Sequence, residues 1–279
     1  RCRGRHTRNQ MTACKLCGGG TESFGELTVL GRHRARYQRC TSCGYVSVEH
    51  PHWLTEAYAD HAIAALDTGI VMRNLWLADA MDALLRWRFR DVRTALDYGA
   101  GTGLFVRLMR DRGHDFRWSD PHCENLFALG FEADETMSFD LVTCFEVAEH
   151  LTDPLPVFAQ LTTRAPILIF STELLPGHSN RPGEWHYYAP ETGQHVGFFT
   201  IASLRVLAEK LGRHFASDGR MLHAFTAEPL DPRWLRLVAK QRRARRMLKL
   251  LRKRPPLTWR DAEILTQALR AQQSESAHS

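Results

Sequence analysis

Residues 95–109 read ALDYGAGTGLFVRLM, and this stretch decides the fold class of the 279-residue chain. A short apolar segment ends at Asp97, three glycines follow at alternate positions, and an amphipathic segment begins at Leu104. A strand, a glycine-rich turn and a helix in this order are typical of the first crossover in an α/β sheet. The sequence therefore predicts a Rossmann-like, mostly parallel sheet with helices on both faces.

The spacing of the glycines narrows the choice of ligand. A nicotinamide-dinucleotide turn reads G-x-G-x-x-G, and counted from Gly99 it requires glycine where this chain has Leu104. A phosphate loop requires a lysine after its last glycine, and none follows here. The pattern that remains is Asp97-x-Gly99-x-Gly101-x-Gly103.

This pattern resembles motif I of the class I S-adenosylmethionine (SAM) methyltransferases, and the resemblance extends over residues 95–226. FRWSD (116–120) resembles the second strand of that fold and ends in an acid suited to ribose hydroxyls. The segments 130–154 and 165–176 resemble the third to fifth strands. The resemblance implies seven strands, SAM as the cofactor, and methyl transfer as the activity. The cofactor-binding residues that it implies are Asp97, Gly99, Gly101, Gly103, Asp120, Phe145 and Glu146, and the resemblance of segment 56–74 to a narrower bacterial group of methyltransferases adds Tyr58 and Arg73.

Methyl transfer to a hydroxyl requires a positioned acceptor and a base that removes its proton. The segment FEVAEHLTDP (145–154) contains Glu146, Glu149 and His150 after the predicted fourth strand. In the family that the chain resembles, this segment lines the methionine side of SAM. His150 is thus a candidate base, with bracing of the next helix as the alternative.

A second candidate segment is EWHYYAPETGQHVGFFT (184–200), which contains His186 and His195. Its many aromatic residues predict a lid over the acceptor pocket, because exposed loops rarely keep such side chains unless they pack over something. Imidazole titrates near neutral pH, so both histidines are candidate catalytic bases. The alternative is a structural hairpin whose histidines satisfy buried backbone groups.

The N-terminal region contains Cys14-x2-Cys17 and Cys40-x2-Cys43, separated by 22 residues, with glycine after each pair. Four thiolates complete a closed tetrahedral Zn²⁺ site, which leaves no open coordination position. We therefore predict a structural zinc ribbon whose metal supplies much of the folding energy. Unrelated thiols or a redox pair are the alternative.

The number of cysteines and the distribution of apolar residues indicate the cellular compartment. The seven cysteines are an odd number, and no apolar leader is found at the N-terminus, which argues against a secreted disulfide framework. No run of 18 apolar residues suggests a membrane span. The sequence predicts a cytoplasmic protein.

Positive charge is concentrated near the C-terminus. Residues 233–254 hold eleven Lys or Arg and no acid, which leaves the rest of the chain at a net −5. The apolar residues that share one face of the predicted helix are Trp234, Leu237, Val238, Leu248 and Leu251. Such a helix would bind a membrane surface, an acidic partner or RNA, or it would fold back on the acidic body of the protein.

These patterns divide the chain into a zinc ribbon (11–50), a helical linker or lid (51–90), a SAM-binding domain (91–230) and a basic helical extension (231–279). The segments 56–74 and 185–195 also resemble bacterial exopolysaccharide and deoxysugar-pathway methyltransferases. That resemblance implies a small-molecule acceptor, a hydroxyl of a saccharide or of a lipid-linked or secondary-metabolite precursor. The alternatives are an RNA methyltransferase, which the acidic glycine domain disfavours, and a non-catalytic SAM-binding scaffold.

Overall fold

The computed structural model describes residues 13–59, 66–177 and 181–276, which form two sheets and the helices around them. The larger sheet has the strand order β5-β4-β6-β7-β10-β9. Its strands are β4 (Thr94–Tyr98), β5 (Asp115–Ser119), β6 (Leu141–Phe145), β7 (Ile167–Ser171), β9 (His214–Ser217) and β10 (Leu222–Thr226). Strands β4 to β7 are parallel, and β10 runs antiparallel to both of its neighbours. The predicted mixed α/β architecture with a largely parallel sheet is confirmed.

The expectation of seven strands is corrected to six, because the described residues form six strands in this sheet. The segment expected as the third strand contributes one parallel bridge, Trp118 to Glu132. The Glu132 carboxylate accepts a hydrogen bond from the Asn125 side chain, and the residues that follow are mostly polar. A polar segment without apolar alternation has little to bury at a sheet edge, so pairing ends after one residue.

The helices of the described residues are α1 (Leu54–Ala59), α2 (Ile70–Trp87), α3 (Leu104–Arg110), α4 (Pro154–Arg164), α5 (Ile201–Lys210), α6 (Arg233–Val238), α7 (Gln241–Leu250) and α8 (Thr258–Ser276). Those from α2 to α7 cover the two faces of the larger sheet. Residues of α2, α3, α6 and α7 share one buried cluster with the sheet. Residues of α4 and α5 share a second buried cluster with the sheet, around Phe158, Phe170 and Phe225. In the described ranges, no helix combines the length and the apolar composition needed to cross a membrane.

The smaller sheet joins the cysteine-bearing segment to the aromatic segment 184–200. It is antiparallel and runs β1 (Thr21–Val29), β2 (His33–Cys40), β3 (Val46–Val48) and β8 (Gly197–Phe198). The Trp53 indole donates to the Gly193 carbonyl at 2.7 Å, and the Tyr37 ring meets the Tyr188 ring edge-on at 5.4 Å. The two segments therefore share one apolar core, which the ribbon segment lacks by itself.

The basic segment is two helices rather than the one helix predicted, because Lys240 adopts an extended conformation between α6 and α7. The side chains of Val238, Ala244 and Met247 are buried in the cluster that includes α2. The Arg245 guanidinium donates to Asp79 of α2 at 2.8 Å. The structure thus shows this segment folded back on the body of the protein, which was one of the expected outcomes.

The C-terminal helix α8 is anchored by one buried ion pair. The Arg110 guanidinium donates to both oxygens of Asp261, at 2.8 and 2.7 Å, and Arg107 adds a third bond at 2.9 Å. Burial alone raises the pKa of Asp261, but the hydrogen bonds and charges of the two arginines lower it overall. The pair is nearly inaccessible to solvent, so it fixes the start of α8 on α3.

Candidate functional site

The glycine turn lies between β4 and α3. Gly99, Gly101 and Gly103 have φ angles of 69°, 53° and 86°, the left-handed region that favours glycine. A Cβ on Gly99 would lie 2.4 Å from the Val147 side chain, so that side of the turn is closed by protein. A Cβ on Gly101 would have no neighbouring atom within 4 Å, so the backbone is open to a ligand there.

Asp97 closes the base of this turn at the end of β4. Its carboxylate is buried and accepts a hydrogen bond from the Thr143 hydroxyl at 2.6 Å. Burial raises the pKa of Asp97 to about 7, and the nearby charge of Asp120 adds to the shift, while the Thr143 bond opposes it. A ligand that stabilises the carboxylate would therefore displace a proton near neutral pH.

Asp120 follows β5 and lies beside the turn, as predicted. One of its carboxylate oxygens accepts from the Gly101 amide at 2.8 Å, and the other accepts from the amides of His122 and Cys123 at 2.8 and 2.9 Å. The Trp118 indole donates to the Gly101 carbonyl at 2.8 Å, so both backbone polar groups of Gly101 are held by hydrogen bonds. Asp120 thus holds the open point of the turn in place.

Glu146 begins the segment after β6 and has an unusual backbone. Its φ is 54°, which costs a non-glycine residue about 1–2 kcal/mol. Two hydrogen bonds to Ser171 offset this backbone cost. The Ser171 hydroxyl accepts from the Glu146 amide at 2.9 Å and donates to the Glu146 carboxylate at 2.6 Å. Burial, with the charge of Glu149, raises the pKa of Glu146 to about 7. The preceding Phe145 ring packs edge-on against Phe105 at 5.1 Å.

The N-terminal helices bring two further predicted residues to this edge of the sheet. Arg73 of α2 donates to both oxygens of Asp67, at 3.1 and 2.5 Å, and its Nε lies 3.8 Å from Glu146. The Tyr58 ring of α1 stacks on His122 at 5.3 Å, and its hydroxyl is 3.2 Å from His150 Nδ1. Tyr58 and Arg73 thus contact residues of the candidate site.

His150 and His195 come together, with ring centroids 4.8 Å apart and perpendicular planes. His195 Nδ1 is 2.6 Å from the Tyr187 carbonyl, which can only accept, so Nδ1 carries the proton and Nε2 is the acceptor in the neutral ring. Burial lowers the pKa of both imidazoles. Burial therefore favours the uncharged form of both rings.

The third candidate, His186, lies outside this group. Its side chain is 76% exposed, and its Nε2 faces the Glu173 carboxylate at 3.6 Å. The short 3-10 turn His186–Tyr188 explains the difference, because it buries Tyr187 and Tyr188 and leaves His186 towards solvent. The geometry therefore separates His186 from His150 and His195.

Two residues gain importance from the structure. Glu149 is completely buried, and one of its carboxylate oxygens accepts from the Tyr187 hydroxyl at 2.6 Å. Burial raises the pKa of Glu149 to about 7, although the hydrogen bond from Tyr187 acts to lower it. Sequence analysis noted Glu149 only as a neighbour of His150 and did not single out Tyr187. The sequence did contain a signal for Tyr187, because it lies in an apolar segment and a buried phenol usually needs a polar partner.

The four N-terminal cysteines form a second candidate site. Their sulfurs all lie within 4.8 Å of one another, with Cys14 to Cys43 at 3.8 Å and Cys17 to Cys40 at 3.3 Å. A tetrahedral zinc ion with bonds of about 2.3 Å separates its sulfurs by about 3.8 Å, so the residues fit this ion. The hydrogen bond between Cys14 and Cys43 lowers the pKa of the Cys14 thiol and raises that of Cys43.

This cysteine cluster is joined to the rest of the fold. The Thr200 hydroxyl, at the N-cap of α5, donates to the Cys43 carbonyl at 2.7 Å. Lys15 donates to the Thr152 carbonyl at 2.7 Å. The cluster thus borders both segments that carry the candidate histidines.

Comparison with known proteins gives a family match for the sequence of this chain. The sequence profile of a family described as a methyltransferase domain matches residues 72–217. No curated protein sequence matches the chain. Many solved structures match it, and three of them illustrate the level of similarity.

TnmH is 18% identical, with a TM-score of 0.45, over 63% of this chain and 64% of that protein. The mitomycin 7-O-methyltransferase MmcR is 16% identical, with a TM-score of 0.43, over 62% and 60%. Human N-acetylserotonin methyltransferase, solved with SAM, is 11% identical, with a TM-score of 0.44, over 64% and 59%. The matched part of the chain thus spans less than two thirds of the length of these proteins.

Proposed function

The chain belongs to the methyltransferase-domain family, and on that premise we propose that it binds SAM at the glycine turn and transfers the methyl group to a hydroxyl of a small-molecule acceptor. The open backbone at Gly101, held by Asp120, is the observation that carries this proposal.

The charge of the site supports SAM over a phosphate ligand. SAM carries a sulfonium cation, an ammonium group and ribose hydroxyls. Asp97 and Asp120 flank the turn, and the turn itself, residues 99–103, contains no Lys or Arg. Acidic groups without a neighbouring basic residue favour a cationic ligand and disfavour a phosphate. Arg73, beside Glu146, is suited to the carboxylate of the methionine part, and Asp67 orients it.

The two imidazoles suit proton removal from an acceptor. When bound, SAM supplies a methyl group activated by its sulfonium. We expect the pair His150 and His195 to accept the hydroxyl proton as the acceptor oxygen bonds to the methyl carbon and sulfur keeps the electron pair. Tyr58 would orient His150 through Nδ1, and the Tyr187 carbonyl would orient His195.

Within the hydroxyl acceptors we favour a saccharide, or a lipid-linked or secondary-metabolite precursor. The sequence resemblance to sugar-pathway enzymes supports this choice, as do the polar groups near the imidazoles. RNA fits less well, because buried acids surround the site and the apolar face of α7 is covered. The exposed arginines of α7 remain able to contact an acidic surface, away from the proposed reaction.

We also propose that the four cysteines bind a structural zinc ion. The hydrogen bond from Thr200 to Cys43 and the pairing of Val46 with Phe198 connect that site to the aromatic segment. The ion would therefore hold the segment that carries His195.

The test is methyl transfer from isotope-labelled SAM to a panel of saccharides, with two matched variants. His195→Gln should lower kcat by at least about 100-fold while leaving the affinity for S-adenosylhomocysteine (SAH) unchanged. His186→Gln changes an exposed histidine of the same segment and should behave like the unmodified protein. Equal effects of the two substitutions would contradict the assignment, and the absence of transfer to any hydroxyl would contradict the function.

A further inference from the structure

Glu149, His150 and His195 form a cluster of potential metal ligands in the candidate acceptor pocket. The ligand atoms that the three residues offer all lie within 4.8 Å of one another. Glu149 and His150 are neighbours after β6, and the aromatic segment supplies His195 from 45 residues further along the chain. One carboxylate with two imidazoles is a donor set typical of divalent transition-metal sites.

The imidazoles are oriented as ligands usually are. Metal-bound histidines hold their second nitrogen by a hydrogen bond to an oxygen atom. His195 Nδ1 donates to the Tyr187 carbonyl at 2.6 Å, and His150 Nδ1 lies 3.2 Å from the Tyr58 hydroxyl. In both rings Nδ1 is held by an oxygen, so Nε2 is the nitrogen left to bind an ion.

The carboxylate provides an independent observation. The Tyr187 hydroxyl occupies one oxygen of Glu149, while the other is buried and has no hydrogen-bond partner. Leaving a buried polar atom unpaired is costly, so such an atom calls for a ligand. His150 Nε2 lies 4.0 Å from Glu149 Oε1, the oxygen that accepts from Tyr187, so a rotation of the carboxylate would be needed to bring the unpaired oxygen and the imidazole onto one ion.

We propose that Glu149, His150 and His195 bind a divalent transition-metal ion, separate from the ion at the four cysteines. Three protein ligands leave coordination positions open, which suits an acceptor with two adjacent hydroxyl oxygens. The inference rests on the proposed function for this role, because a bound cation lowers the pKa of a hydroxyl. With Nε2 of both rings on the ion, the imidazoles would act as its ligands in place of accepting the proton directly, and the hydroxyl proton would pass to solvent water.

The experiment uses full-length protein whose cysteine site is already loaded with zinc, titrated with Co²⁺. Bound cobalt is measured by equilibrium dialysis, and its ligands by visible absorption. We expect one Co²⁺ per chain in addition to the zinc, without the thiolate-to-cobalt charge-transfer band. His195→Gln should weaken Co²⁺ binding by at least about tenfold, since it removes one of three protein ligands.

The matched control is His186→Gln, which should bind Co²⁺ like the unmodified protein. Glu149→Gln provides a second ligand variant should His195→Gln fail to fold, and circular dichroism checks the fold of each. No cobalt beyond the zinc, or equal weakening in the His186 and His195 variants, would overturn the inference. SAH titration of the same samples separates this outcome from failure of the proposed function, because SAH binding does not depend on the ion.

Discussion

Replacing Gly101 by alanine should damage ligand binding far more than folding. The φ angle of 53° lies in the left-handed region, where alanine costs about 1–2 kcal/mol relative to glycine. No protein atom lies within 4 Å of the added Cβ, so the fold loses little more than this backbone term. The methyl group would instead occupy the open side of the turn, where we place SAM.

Gly212, just after α5, gives a matched control. Its φ is 62°, and its added Cβ also has no neighbour within 4 Å, but it lies on an exposed turn. Both Gly101→Ala and Gly212→Ala should therefore lose about 1–2 kcal/mol of unfolding free energy in denaturant titrations.

Only Gly101→Ala should weaken SAH binding in calorimetry, by at least about tenfold, which corresponds to about 1.4 kcal/mol. If Gly101→Ala bound SAH with unchanged affinity, the glycine turn would not be the ligand site. A similar loss in Gly212→Ala would show that the effect comes from stability instead.

Three further predictions follow from single contacts. Gly99→Ala should lower the unfolding free energy by about 3 kcal/mol in denaturant titrations, because its Cβ meets Val147 at 2.4 Å; a loss no larger than that of Gly101→Ala would contradict this packing. Because burial raises the pKa of Asp97 to about 7 and the ligand favours the carboxylate, SAH affinity should rise between about pH 6 and 8, and Asp97→Asn should flatten this dependence; a pH-independent affinity in the unmodified protein would argue against Asp97 as a binding group. Asp261→Asn should cost about 1–3 kcal/mol at pH 7, because a neutral amide replaces the carboxylate that pairs with Arg110 and Arg107, while Asp115 still pairs with Arg110. Since the folded-state pKa of Asp261 is lowered, the difference in unfolding free energy from the unmodified protein should shrink as the pH falls below about 4, and a pH-independent difference would refute the ion-pair explanation.

Local patterns in the sequence were enough to predict the glycine turn and its acids. The alternating glycines after Asp97 permit the left-handed backbone of a tight turn between a strand and a helix, and the structure has it at all three. Asp120 was predicted from its place at the end of a short strand, and it lies against Gly101. Both predictions depend on a few neighbouring residues, which explains why they could be made.

Features set by distant contacts could not be predicted in this way. The strand β8 has two residues, too few for a periodic pattern, and it exists because Val46 of the ribbon segment pairs with Phe198. The contact of Tyr187 with Glu149 joins residues 38 positions apart. The break at Lys240 separates two helices that both pack in the cluster with α2, and the charge pattern of the segment does not reveal it.

The number of strands shows a related limit. Seven strands were expected from resemblance, while the polar segment after Glu132 pairs at only one position among the described residues. Resemblance transferred the topology of the family, whereas the composition of this particular edge determined how much of it forms.

Calorimetric titration of the zinc-loaded protein with SAH, with NAD as the comparison ligand, tests the central claim most directly. The account predicts micromolar binding of SAH and no binding of NAD, because the turn lacks the glycine spacing of dinucleotide sites and is flanked by Asp97 and Asp120. Binding of NAD, or no binding of SAH, would contradict the assignment of the glycine turn and the methyl-transfer function built on it.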